Sequence, residues 1–153
     1  MDFDGDGIPD LLSGSYDPGE FYLFRGRGKG GFAARETLTD KSGGAIILIP
    51  DQKDKVESFG SRIAAVDWDD DGDLDLLLGG AGGGIVLRVN EGTRKRPRYS
   101  TISTAIRAGD AALVVSGGYA TPVVADWDRD GQWDLLSGSG RGSVVWYRNV
   151  GPK

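Results

Sequence analysis

No cysteine and no histidine occurs among the 153 residues. Together these absences remove disulfides, thiol chemistry, the usual zinc and haem ligands, and the Ser-His and Cys-His pairings of nucleophilic catalysis. The lack of cysteine does not by itself identify a compartment. No apolar run approaches the roughly 20 residues that span a bilayer, so no membrane span is expected. Met1 is followed at once by a charged stretch, and no leader peptide is expected in these residues. Glycine, by contrast, is abundant: 26 residues without a collagen-like period, which points to many tight turns. Hydrophobic residues at 39% and four tryptophans argue for a folded chain. The length suits one domain with a modest core.

What organises the chain is a nine-residue frame that occurs three times. The copies are Asp2-Phe-Asp-Gly-Asp-Gly-Ile-Pro-Asp10, Asp67-Trp-Asp-Asp-Asp-Gly-Asp-Leu-Asp75 and Asp126-Trp-Asp-Arg-Asp-Gly-Gln-Trp-Asp134. Each has Asp at positions 1, 3, 5 and 9 and Gly at position 6, a D-x-D-x-D-G pattern. Acids on alternate residues crowd like charges within a few ångströms. A hard divalent cation turns that crowding into ligation, and Ca²⁺ takes oxygens from positions 1, 3 and 5 and a backbone carbonyl at 7. The glycine lets the chain wrap sharply round such an ion.

An EF-hand shares this opening but closes with a bidentate Glu at position 12. Here position 12 is Ser13, Leu78 or Ser137, none of which can chelate in that way. The acid at position 9 closes the site instead. The expected calcium ligands are therefore Asp2, Asp4, Asp6 and Asp10 with the Ile8 carbonyl, and Asp67, Asp69, Asp71 and Asp75 with the Asp73 carbonyl. The third set is Asp126, Asp128, Asp130 and Asp134 with the Gln132 carbonyl. The middle loop carries two further acids, Asp70 and the Asp73 side chain, and is expected to hold its ion most tightly, the first loop least.

The formal charge is −5, yet fourteen of the 23 acids lie in the three loops. Outside them nine acids face 18 Lys and Arg, a balance of +9, and three divalent ions would bring the whole chain to +1. The acidity thus belongs to the loops. Lys29, Arg94, Lys95, Arg96 and Arg98 are read as a solvated surface in turn-like segments, and nucleic acid is not an expected partner.

The register of the frame continues beyond it. The first Asp residues are 65 and 59 residues apart, within reach of four strands plus turns. Residues 62–66 and 121–125 read as strands before the loops. Segments 10–14, 75–79 and 134–138 read as one strand in three copies, followed by a second at 20–25, 84–90 and 143–149. Residues 31–38 and 98–105 supply an outer strand, and 45–49 and 112–115 an extra ribbon, in the first two copies. The fold class is all-β, with four-stranded antiparallel blades and no helix. The units run approximately 1–59, 60–118 and 119–153, the first without an innermost strand and the last without an outermost one. Phe3, Trp68 and Trp127, at position 2 of their loops, are expected between neighbouring units.

Residues 123–138, their two partners and the closing Trp-Tyr-Arg-Asn-Val-Gly at 146–151 resemble the FG-GAP or VCBS-type repeat of calcium-binding β-propellers, found also in integrin α-subunit propellers. The resemblance covers almost the whole chain. It implies that each loop joins the first and second strands of a blade, that the calcium is structural, and that the protein is secreted or displayed on a cell surface. A closed propeller has four to eight blades as a rule, so further blades or self-association are expected. The implied role is a non-catalytic binding or adhesion scaffold for a glycan or protein. The alternative is the propeller portion of a polysaccharide lyase or sugar dehydratase. Against an enzyme stand the missing histidine and the commitment of most clustered acids to metal; Tyr16, Asp17, Glu20 and Tyr119 read as turn residues.

Overall fold

The computed structural model describes residues 1–17, 19–48 and 60–151. Pro18, within the turn at 15–19, Ile49 of the extra ribbon and the first unit's boundary at 59 lie outside the described residues. Twelve short strands and no helix are present among those described. Strands β1 (Leu11–Gly14), β2 (Phe21–Phe24) and β3 (Glu36–Thr37) make the first antiparallel sheet. β4 (Arg62–Val66), β5 (Asp75–Gly79), β6 (Ile85–Arg88) and β7 (Thr104–Ala105) make the second, the only four-stranded one among the described residues. β8 (Arg107–Ala108) and β9 (Ala111–Ala112) form a small hairpin. The third sheet holds β10 (Thr121–Ala125), β11 (Asp134–Gly138) and β12 (Val144–Tyr147). The fold is that of partial propeller blades: each sheet is antiparallel with neighbouring strands in chain order, and each acidic loop enters the strand that carries its position-9 Asp or follows it.

The pairing register shows why Asp-Leu-Leu recurs. Successive side chains on a strand face opposite sides of the sheet, and the middle Leu pair splits between two cores, with Leu12 facing the first of them and Leu135 the second. Leu76 and Leu78 join Phe3, Phe21, Leu23 and Ile46 in a core between the first and second sheets. Leu77 turns the other way, into a core with Ile85, Val115, Ala120 and Leu135 between the second and third. The first Leu of each pair therefore faces the preceding sheet and the second faces the following one. Leu11, the first of its pair, is 47% exposed. Burying two or three leucines on both faces of β5, at roughly 1.5–3 kcal/mol per side chain, makes the middle sheet the keystone of the fold.

The position-2 aromatic of each loop follows the same polarity. Phe3 is 2% exposed in the first core, and Trp68 is half-buried against the second. Trp127 is 61% exposed, which departs from the expected place between units, because no sheet among the described residues packs against its side.

The outer strands are shorter than the sequence pattern indicates. Among the described residues of these segments only Glu36–Thr37 and Thr104–Ala105 pair as outer strands. The extra ribbons attach by isolated bridges, Thr39 to Ala45, Glu20 to Ile47 and Gly84 to Val114, with Ala112 paired to Arg107 in the β8–β9 hairpin. The register also slips by one relative to the expected match. Glu36 pairs Leu23 and Thr104 pairs the equivalent Leu87, whereas the match of 31–38 to 98–105 sets Glu36 beside Ser103. The second copy thus has one residue more between Tyr99, which bridges Asn90 as Phe32 bridges Gly26, and its outer strand. It falls in the bend at 100–102, where the Ser100 hydroxyl accepts the Ile102 N–H.

Candidate metal centres

Each acidic loop leads into β1, β5 or β11, and its own carboxylates shape it. The position-1 Asp bridges the turn: its Oδ1 accepts the position-5 N–H and its Oδ2 the position-6 N–H. The distances are 3.1 and 3.1 Å at Asp2, 3.0 and 3.0 Å at Asp67, and 2.9 and 3.1 Å at Asp126. The position-5 Asp accepts the N–H of position 7, from Ile8, Asp73 or Gln132, at 2.8–3.0 Å. Three loops far apart in sequence thus adopt one conformation.

Two positions in every loop have positive φ. Position 6 does so as glycine (Gly7, Gly72 and Gly131, φ 86–92°). Position 4 does so as Gly5 (φ 76°) but also as Asp70 and Arg129, both at φ 62°. The left-handed backbone at position 4 was not evident from the frame, although Gly5 in the first copy is its trace.

The position-9 acid has a separate task. Asp10, Asp75 and Asp134 are all buried. In each, Oδ2 accepts the N–H of position 2, from Phe3, Trp68 or Trp127, at 2.8–3.2 Å. Oδ1 accepts the N–H of Gly26, Asn90 or Asn149, two residues past the third strand of the blade pattern, at 2.7–2.8 Å. One carboxylate so pins the loop to the far end of a neighbouring strand. Burial pushes the Asp75 carboxyl up in the enclosed middle sheet, against the pull of the Asn90 and Trp68 amides. The Asn149 amide holds Asp134 below the ordinary carboxylate range.

Carboxylate oxygens within 4.8 Å of one another gather as Asp2, Asp4 and Asp10 in the first loop. In the others they gather as Asp67, Asp69 and Asp71, and as Asp126, Asp128 and Asp130. Positions 1 and 3 are thus brought together in all three. Position 5 joins them in the second and third loops, and position 9 in the first. Asp6, Asp75 and Asp134 stand outside these tightest groups.

These donor sets fit a calcium ion. They are all-oxygen and several-fold anionic, the chemistry that Ca²⁺ prefers and that Zn²⁺, with its nitrogen and sulfur ligands, does not. The middle loop gives the sharper test. The Asp73 side chain is buried, and its Oδ1 has no hydrogen-bond partner among the described residues. Burial, reinforced by the carboxylates of Asp71, Asp75, Asp69 and Asp67, pushes its carboxyl up to about 6. A buried, unpartnered carboxylate oxygen is costly unless a cation meets it, and the Asp73 side chain stands outside the group formed by Asp67, Asp69 and Asp71.

A model of the FG-GAP-like repeat matches residues 2–51 and 67–137. The chain belongs to the FG-GAP-like repeat family. No curated protein and no solved structure matches it. The matched segments take in the first two loops and the third through β11, so the family repeat and the acidic loops coincide. No helix among the described residues is long and apolar enough to cross a membrane.

Arg25 and Arg148 are not singled out by the sequence pattern, and Arg94, read from the sequence as solvated surface, is instead half-buried with a buried Nε. Arg25 pairs with Asp4 and with Glu36, and Arg148 Nε lies 2.6 Å from Asp128 Oδ2. Arg94, from the turn after β6, donates to the Asp2 carbonyl at 2.5 Å and so ties the second sheet to the first loop. Glu20, one of the loose polar residues of the sequence, accepts the Tyr22 hydroxyl at 2.9 Å.

Proposed function

We propose that this FG-GAP-like chain is a calcium-stabilised propeller module that works outside the cell as a non-catalytic scaffold, presenting its loops to a glycan or a protein. The observation that carries the reading is the threefold recurrence of one acidic loop geometry, with the orphaned Asp73 oxygen in its middle copy. The holders are the position-1, -3, -5 and -9 acids and the carbonyls of Ile8, Asp73 and Gln132. Calcium, when bound, supplies the charge that offsets carboxylate repulsion in a turn otherwise too anionic to be tight. The chain's own residues do the rest. The position-1 carboxylate holds the turn closed, and the position-9 carboxylate fastens it to the sheet. Rigid, all-oxygen sites of this kind suit millimolar extracellular calcium.

The outer face of the third sheet supports association with further propeller units or further copies. Val123, Leu136 and Trp146 pair across β10, β11 and β12 on the side away from the second core. Val123 and Trp146 are exposed there. Contiguous apolar surface of this sort marks an interface.

The test is calorimetric and thermal titration of the whole chain with calcium, with EDTA as the control. Saturation at a hundredfold excess over Kd should add about 2.7 kcal/mol of stability per site. A melting curve that EDTA leaves unchanged would remove the calcium reading. Glycan-array binding beside a lyase assay on uronate polymers separates scaffold from enzyme: release of unsaturated product would replace the non-catalytic role.

A further inference from the structure

The three repeats differ at one position that bears directly on the loops. The sheet registers align Phe24, Arg88 and Tyr147, each opposite the first Leu after its closing Asp. The next residue is therefore equivalent in all three: Arg25, Val89 and Arg148. Its successor donates the N–H that the position-9 carboxylate accepts, which fixes the alignment independently. In the outer repeats the arginine at this position pairs with the position-3 acid, Asp4 or Asp128. Arg148 also lies 3.3 Å from Asp130, at position 5. In the middle repeat Val89 can do neither, and no cationic side chain pairs with Asp69 among the described residues. That same loop carries six acids and the orphaned Asp73 oxygen.

We propose that Arg25 and Arg148 are built-in counter-cations that grade the loops, so that the middle loop is a high-affinity calcium site and the outer two are low-affinity sites. This rests on the calcium reading above. An arginine at a position-3 carboxylate acts twice against the ion. It occupies an oxygen that would ligate, and it places a positive charge a few ångströms from a divalent cation, a repulsion of about tenfold in affinity even at the dielectric of water. The same arginine steadies the loop when calcium is scarce, because it neutralises part of the carboxylate cluster. The outer loops thereby keep their shape across a range of calcium concentrations, whereas the middle loop depends on its ion.

Reciprocal exchange tests this on the whole chain by isothermal titration with calcium chloride, with circular dichroism to confirm the fold. The native chain should show one tight site and two that are weaker by about tenfold or more. Arg148→Val should give two tight sites and one weak one, and Val89→Arg should leave no tight site. Because Val89 is half-buried, Arg148→Val and Arg25→Gln carry the test if Val89→Arg does not fold. Three equal sites in the native chain, or an Arg148→Val chain whose affinities are unchanged or lower, would overturn the grading and leave the calcium reading intact. No calcium heat in the native chain or in any variant overturns both.

Discussion

Gly79 lies directly against Ala120: a Cβ on Gly79 would sit 2.3 Å from the Ala120 carbonyl oxygen. Gly14, its equivalent in the first sheet, meets the Ser61 carbonyl oxygen at 2.1 Å in the same way. At both places the end of the strand that follows the acidic loop, β1 or β5, lets the next sheet's entering segment pass, and backbone cannot yield as a side-chain tip can. Gly138 is the third equivalent, and its nearest neighbour is the Thr121 Cβ at 3.7 Å, an ordinary contact. Gly79→Ala and Gly14→Ala should each destabilise by about 1–3 kcal/mol or more. Gly138→Ala should stay within about 0.5 kcal/mol of the native chain. Urea melts in calcium decide it, and three equal penalties would contradict the assigned role.

The position-9 staples predict a stability effect that does not depend on metal. Asp75→Ala leaves the Trp68 and Asn90 amides without their acceptor. One buried and one part-buried donor orphaned, at about 1–3 kcal/mol for a buried one, should together cost about 2 kcal/mol or more, in EDTA as well as in calcium. Asp67→Ala removes hydrogen bonds at exposed amides and relieves repulsion, so its penalty in EDTA should be smaller. The comparison of the two variants in EDTA is the measurement; an Asp75→Ala chain as stable there as the native one would refute the staple.

Strain at position 4 is open to direct relief. Arg129 holds φ at 62° on an exposed turn, a conformation that costs an L-residue about 1–2 kcal/mol and glycine little. Part of that gain is lost to the greater freedom of glycine in the unfolded chain. Arg129→Gly should raise stability by about 0.5–1 kcal/mol, seen as a higher melting temperature at fixed calcium. A lower melting temperature would show that the Arg129 side chain contributes more than its backbone costs.

The position-2 aromatics should respond in order of their burial. Phe3→Ala empties a site in the first core and should cost about 3–5 kcal/mol. Trp127→Ala, on the open side of the third sheet, should cost less than about 1 kcal/mol. Light scattering adds an independent check, since Trp127→Ala should also reduce any self-association through that side. Equal losses of stability would mean that Trp127 is covered in solution.

Much of this architecture is legible in the sequence because its signals are periodic. Asp at alternate positions announces the loops, and the Asp-Leu-Leu segments repeat in one register, which places β1, β5 and β11. Features that depend on contact between repeats are not periodic and stayed hidden. Arg25 and Arg148 look like surface arginines until the strand register sets them beside Asp4 and Asp128. The glycines of Leu-Leu-Ser-Gly and Leu-Leu-Leu-Gly read simply as the ends of their strands, but Gly14 and Gly79 are also points of crossing between sheets. The one-residue slip at 100–102 arises in a bend, where no hydrophobic alternation constrains the count. Trp127 shares its motif position with Phe3, and only the absence of a sheet on its side, among the described residues, separates their environments.

The division of the middle leucine pair between two cores, met by Leu12 on one side and Leu135 on the other, gives the repeats a direction. Leu76 looks back and Leu77 looks forward, so the two sides of a repeat are unlike, and each is complementary to the opposite side of its neighbour. Contact built on such sides is heterologous: one copy's forward side receives another's backward side, never its own kind. Assembly by this means turns every added repeat through the same rotation about a common axis. It therefore ends either by closing into a ring or by continuing as an open filament, and the two-fold dimer that dominates among soluble proteins is not among its products.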